Sequence, residues 1–471
     1  MTQHRRCWQP FATGACTAAA VLAIAATPAR AHVSERAIVL LLPTDLYRLA
    51  GVVAVLLTIA LTMFLPDRVA RRLTLAPAPA PLAAPVPGPA AWLGFVLFAG
   101  LVAMGLFGPH NPLGNLLPLT LFTGFWLLGL LVATLAGDWW RWFNPWVAPA
   151  RLVRRLLQPA GPRPLPGWLG CWPATGSYLV FALYYLSDVA PVDPDHLARV
   201  TLAYWLTHLA LTIRFGPDWL IRGEGFTLLF ALAGRMRALD WPGKRRRPRL
   251  RLPGSGLMAL PAPPASLGVF AVTLLAIGSF DGLNETFLWM ARIGINPLEF
   301  PGRSAVVWQN RLGLLGAVLW LNAVFAACVW LGLRAAGLRD WRRAYPVLAL
   351  SLLPIALAYH FAHYLPAALV SLQYWALAFN DPFETGARLV GLDWRVTTSF
   401  FNQHWTVRLI WLSQAGLITL GHMLSLVLAH GAATGLFDDH RKALVSQLPV
   451  AAFMVAFTWF GLWLLASPTA L

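Results

Sequence analysis

A run of about 20 mostly apolar residues recurs along this chain, the length a helix needs to cross roughly 30 Å of hydrocarbon. The runs cover residues 47–65, 91–107, 119–136, 168–186, 197–213, 266–285, 312–333, 346–369, 409–429 and 448–465. Lipid offers no hydrogen bonds to a backbone, so a spanning segment must satisfy its own N–H and C=O groups, which a helix does. The expected fold is therefore all-α, a polytopic transmembrane helical bundle of about ten spans, with the bilayer as its main partner. Only 12% of the residues are charged, against about 25% in a chain that meets water over most of its surface.

Residues 1–31 read as a cleavable signal peptide. His4, Arg5 and Arg6 precede the apolar stretch from Ala15 to Ala26, and Ala29-Arg30-Ala31 has the small-x-small pattern that signal peptidase cuts after. Residues 32–471 then form a single transmembrane domain. Cleavage leaves Cys171 and Cys328 on different segments, which suits neither a disulfide framework nor a cysteine metal site.

The signal peptide places the mature N-terminus outside a bacterial inner membrane, and charge fixes the rest. With ten crossings, the cytoplasmic side holds 24 Lys and Arg and the opposite side 6, with Arg48, Arg311 and Arg408 at the outer ends of spans, the bias expected of membrane proteins. Both mature termini are then periplasmic, with a basic cytoplasmic loop at 233–264 and periplasmic loops at 286–311 and 380–404. The run 219–232 is too short to span and carries Arg222 and Glu224; if it crossed, the basic block 235–251 would face the wrong side. It is expected to be an interfacial or re-entrant helix. The net charge of +17 and the cluster Lys244-Arg245-Arg246-Arg247 read as a topology signal, with no nucleic-acid partner implied. Residues 76–90, alternating Ala and Pro, read as an extended linker, and the aromatic stretch 138–146 as an interfacial belt.

Ionisable side chains inside a span cost several kcal/mol at mid-depth, so those present are the functional candidates. The sixth span ends with Asp281 and Glu285, four apart and on one helix face. The eighth carries His360 and His363, three apart, a spacing that can chelate one metal ion. Counted from the cytoplasmic ends of their spans, Asp281 and His360 lie at a similar depth, roughly 20 Å in. Two imidazoles and one or two carboxylates at one level suffice to bind Zn²⁺, Mn²⁺ or Fe²⁺; the same histidines also suit hydrogen bonding between helices. His422 in the ninth span lies deeper and fits a proton relay. His208 reads as a buried, hydrogen-bonded histidine and His430 as interfacial. His32, exposed as the first residue by cleavage, could chelate copper through its α-amino group and imidazole.

Several patches resemble the bacterial membrane proteins named fenitrothion hydrolase. They are His32-Val33-Ser34-Glu35 with Leu40 to Tyr47, Trp142 to Trp146, Asn296 to Arg303, Tyr359 to Tyr364, Asp381-Pro382-Phe383, and Gly421-His422 with Leu428-Ala429-His430. The resemblance implies hydrolysis of an organophosphorus triester, a small hydrophobic substrate, with release of a phenol. In that reading His360, His363 and Asp281 hold a divalent metal, Glu285 is a ligand or general base, and His422 relays protons. A secondary transporter or metal permease, and a non-catalytic subunit of a membrane metalloprotein complex, fit the same spans. The topology is checked with alkaline phosphatase fusions: fusions at Arg388 are expected to be active and those at Arg247 inactive. The opposite pattern would invert the orientation.

Overall fold

Buried backbone hydrogen bonding accounts for the architecture of the computed structural model, which describes residues 44–74, 80–157, 161–240, 247, 249–299, 302–437 and 439–467. The signal peptide, His32 and Lys244-Arg245-Arg246 lie outside the described residues. The main helices, in chain order, are α1 (Thr44–Met63), α2 (Pro89–Phe107), α3 (Leu116–Ala136), α4 (Trp172–Ser187), α5 (Pro194–Phe215), α6 (Asp218–Gly223), α7 (Gly225–Ala233), α8 (Ala265–Asn284), α9 (Val307–Ala335), α10 (Trp341–Asn380, with a turn at Ser351 and Leu352), α11 (His404–Leu436) and α12 (His440–Ala466). Strand among the described residues is limited to a two-residue pairing of 239–240 with 249–250 in the basic loop.

Among the described residues, eight helices are long and apolar enough to cross a membrane: α1, α2, α3, α8, α9, α10, α11 and α12. The expected fourth and fifth spans are also helical. Helix α4 has 16 residues, a reach of about 24 Å, and α5 carries Asp195, Arg199 and Arg214 within its 22 residues. The multi-pass, all-helical architecture is therefore as expected.

The bundle is organised around α8. In its most apolar stretch 83% of the residues are buried inside the protein, against 22% in α1 and α9, which leave most of their surface for lipid. Helix α8 packs on α4, α9 and α10. Small residues make this possible, because helices in lipid associate through close van der Waals fit. Gly268 lies against Tyr345 and Pro346, and Gly282 leaves its Cβ position to the Tyr359 hydroxyl.

The run 219–232 is packed inside the protein. It breaks into α6 and α7, and every residue of α7 is buried. Gly225 at one end touches Tyr178 and Ala174 of α4, while Gly234 at the other end lies against Asp138, just past the end of α3. The two short helices pack on each other as a hairpin. Such a break exposes helix-end N–H groups, and these must find partners within the protein. Glu224 supplies them. Its fully buried carboxylate accepts from the backbone N–H of Phe226 at 2.9 Å and of Thr227 at 2.7 Å, from the Thr227 hydroxyl at 2.6 Å, and from the Tyr204 hydroxyl.

Two other expectations are refined. The aromatic stretch is largely interior: Trp139 donates to the Gly129 carbonyl at 2.7 Å, Trp140 packs 4.6 Å from Phe125, and Trp146 is buried. Only Trp142 among these tryptophans is more than half exposed. The Pro-rich linker has neither helix nor strand over residues 80–88, and its last two residues open α2. Arginines tie it down: Arg141 donates to the Ala84 carbonyl at 3.2 Å and Arg235 to the Ala80 carbonyl at 3.0 Å. Proline removes backbone donors but leaves acceptors, which guanidinium groups satisfy. Cys171 and Cys328 are free thiols.

Removing the Glu224 cap would leave two buried N–H groups and two hydroxyls without their acceptor. Glu224→Ala is expected to lower stability by about 2 kcal/mol, and Glu224→Gln by less, in thermal unfolding of the detergent-solubilised protein.

Candidate functional site

Asp281 sits near the outer end of α8, on its buried side, and an ionised carboxylate there requires partners. Helix α10 crosses at this level and provides them. His363 Nε2 lies 3.4 Å from Asp281 Oδ2, and the Tyr364 hydroxyl donates to the same oxygen. The two expected elements, the carboxylate of the sixth span and the histidine pair of the eighth, do meet. Glu285, one turn beyond Asp281, ends α8 in a half-buried position.

The two histidines play different parts. The His360 Nε2–H donates to the Trp126 backbone carbonyl of α3 at 3.2 Å, and its ring lies 4.9 Å from the Trp126 ring. That carbonyl belongs to an unusual stretch. Residues Leu119–Gly129 wind as a π-helix, whose i→i+5 pattern is rare and concentrates at functional sites. The π-helix is fixed to α10 a second time, where the Trp375 indole donates to the Thr120 hydroxyl at 2.9 Å.

Aromatic groups close the cluster. The Trp126 indole N–H donates to the Tyr178 hydroxyl at 3.1 Å, and Tyr185 and Tyr364 pack against Trp126 at 5.1 and 5.0 Å. Tyr359 stacks on His363 at 5.8 Å with the rings nearly parallel. The Tyr359 hydroxyl is buried and meets no hydrogen-bond partner among the described residues. Between these side chains lies a cavity of about 40 Å³ lined by Asp281, His360, His363, Tyr178 and Tyr185. A water needs about 10–15 Å³, so the space has room for water beside the Asp281–His363 pair.

Above the site the outer loop is anchored, with Arg303 donating to the carbonyls of Tyr185 at 3.0 Å and Asp188 at 3.2 Å. This sets the described part of the loop over the end of α4, the helix that supplies Tyr178 and Tyr185. On the other flank, the Gln414 amide of α11 donates to the Ala362 carbonyl at 2.8 Å, pinning α11 to the histidine turn.

His422 is buried on α11, inward of the cluster. Its Nδ1–H donates to the Ile418 carbonyl of its own helix at 2.8 Å, and Nε2 has no hydrogen-bond partner among the described residues. The neighbouring Gly421 faces Pro354 and Ala358 of α10, one to two turns inward of His360. His430 is buried within the protein. His32, the candidate copper ligand, lies outside the described residues.

The donor set bears on the metal expected here. Of the three residues His360, His363 and Asp281, two converge, while the third commits Nε2–H to a backbone carbonyl. Among the described residues no three His, Cys, Asp or Glu side chains form a group that could hold a metal ion. Sequence reasoning also missed Tyr364 as the second partner of Asp281, although its place one residue after His363 was the available signal. The Trp126 carbonyl carried no such signal, because a π-helix has no motif.

No protein-family model matches the chain, and no curated protein or solved structure is similar to it. Metal content separates the two uses of the donors. The convergent pair predicts no stoichiometric zinc, manganese or iron in the purified protein; one equivalent, lost in His363→Ala and His360→Ala, would establish a three-residue shell.

Proposed function

We propose that this protein is a membrane-embedded hydrolase of lipophilic esters, of the organophosphorus triester class that the resemblance implies. It would sit in a bacterial inner membrane as ten spans, the eight long apolar helices plus α4 and α5, with both mature termini periplasmic after signal-peptide removal. The observation that carries the reading is the Asp281–His363–Tyr364 cluster beside a water-sized cavity.

The chemistry follows from which atoms face each other. His363 turns Nε2 to the carboxylate, so Nδ1 is the atom left to take a proton from water. Asp281 orients the ring and stabilises the imidazolium that forms, while the Tyr364 hydroxyl holds the carboxylate in place. The water oxygen attacks phosphorus, and the phenolate departs with a proton returned from the imidazolium. Glu285, half-buried at the end of α8, is suited to pass protons to the periplasmic side. His422 bonds within its own helix, so its role as a relay rests on Nε2 alone. With two convergent donors, every step here uses side chains of the chain itself.

A proton-coupled permease is the second reading, favoured by the cavity size: about 40 Å³ admits water but not a triester unless the helices part. Proteoliposomes distinguish the two. Paraoxon hydrolysis by the parent is expected to fall at least about 100-fold in Asp281→Asn and in His363→Ala, the range of general acid–base contributions. His422→Ala is expected to change the rate far less. Counterflow without product, or full hydrolysis in both cluster variants, would overturn the hydrolase assignment.

A further inference from the structure

Helices α4 and α5 are consecutive and joined by a short loop, yet their backbones scarcely approach each other. Consecutive short-looped helices ordinarily pack together, since each buries the other's inner face. Here a cavity of about 700 Å³ takes that space, enclosed by α2, α3, α4 and α5. Its size falls within the range of small-molecule sites, about 300–1,000 Å³. Along α5 it runs from Leu197 to His208, about 17 Å.

The walls are hydrocarbon and aromatic for most of this length, with Leu97, Leu101, Leu121 and Val180 among them. Leu97 and Val180 are more than half exposed, so the apolar wall is open rather than packed against a neighbouring helix. At the outer end Tyr184 packs on His196 at 5.6 Å, and His196 contacts Asp188 at 3.3 Å, which ties α4 to α5 there.

The inner end is chemically different. His208 is buried between Tyr204, at 4.5 Å, and the rings of Trp146 and Trp219, both at 6.1 Å. The Trp219 indole N–H donates to His208 Nδ1 at 3.1 Å. An indole nitrogen can only donate, so Nδ1 must be the unprotonated nitrogen and the ring proton sits on Nε2. Among the described residues that Nε2–H meets no acceptor, and His208 lines the cavity. Tyr204 cannot take the role of acceptor-seeking donor, because its hydroxyl proton is given to Glu224. The hairpin of α6 and α7 sets the tautomer of His208 through Trp219 and occupies Tyr204 through Glu224. The His208 Nε2–H thus stands as a donor of fixed tautomer on the wall of an apolar cavity.

We infer that this cavity binds a single-chain lipophilic molecule whose carbonyl head accepts a hydrogen bond from His208 and whose hydrocarbon tail lies along α5 toward the outer leaflet. A quinone and an acyl ester share this chemistry. The site is separate from the Asp281 cluster; Phe181 is the residue that borders both cavities.

Two measurements on the full chain purified in mild detergent test the site. Native mass spectrometry with lipid extraction is expected to find one lipophilic molecule per chain, and its mass tells a quinone from an acyl lipid. Thr201→Phe on the α5 wall is expected to cut occupancy at least fivefold with an unchanged elution profile. Should that variant misfold, Val180→Phe on the facing wall, at a lipid-exposed position, serves the same purpose. Titration of lipid-stripped protein with decylubiquinone and with methyl laurate, followed by tryptophan quenching or by competition, identifies the preferred head group. His208→Leu is expected to weaken the preferred probe about tenfold, the loss of one buried hydrogen bond. No co-purified molecule and no probe binding would overturn the site. Occupancy unchanged in a folded wall variant would do the same, and equal affinity in His208→Leu would remove the hydrogen bond from it.

Discussion

A carboxylate on the most buried of the long helices is the constraint around which the rest is arranged. Asp281 cannot be solvated by lipid or by the apolar faces of its neighbours, so it needs polar partners from the adjacent helix. Tyr364 and His363 bind one of its oxygens directly. Tyr359 stacks on His363 and places its hydroxyl against Gly282, where only a glycine leaves room, so α8 and α10 approach closely at the level of the charge. Close approach and polar pairing are therefore one device: without the glycine the helices would stand apart, and without the pair the carboxylate would have no reason to be there.

The same reasoning explains the π-helix of α3. His360 lies on a helix face that meets α3, and its ring N–H needs an acceptor in a region without water. A regular α-helix engages each carbonyl with the N–H four residues on, whereas the wider winding of residues Leu119–Gly129 turns the Trp126 carbonyl toward α10. The loss of regular helix geometry is offset by two inter-helix bonds, from His360 and from Trp375.

The spans were legible in the sequence because the bilayer leaves so few alternatives: apolar runs near 20 residues become helices, and the observed ends fall within a few residues of the expected ones for α1, α2 and α3. The meeting of Asp281 with the histidine turn was legible for a related reason, since rise per residue converts position in a span into depth. Register alone does not say which ring nitrogen points where. His360 and His363 share a face by spacing, yet a backbone carbonyl claims one and a carboxylate the other, and that choice depends on α3. For the run 219–232 the sequence left an interfacial and a re-entrant helix open, because its two charges gave no sign of how they could be buried. Glu224 is affordable inside because it caps a helix, with four donors on its two oxygens.

That capped break has consequences beyond its own stability. By breaking and turning back, α6 and α7 pack beside α4, and α6 sits between α4 and α5 at that end. Trp219 of α6 reaches His208, and Glu224 reaches Tyr204, so the hairpin fixes the polar groups of α5 from below while leaving the space above them open. The two halves of the chain thus use buried ionisable groups in opposite ways. Around Asp281 they draw helices together until little more than water fits, and around Glu224 they hold helices apart and leave room for something the size of a lipid chain.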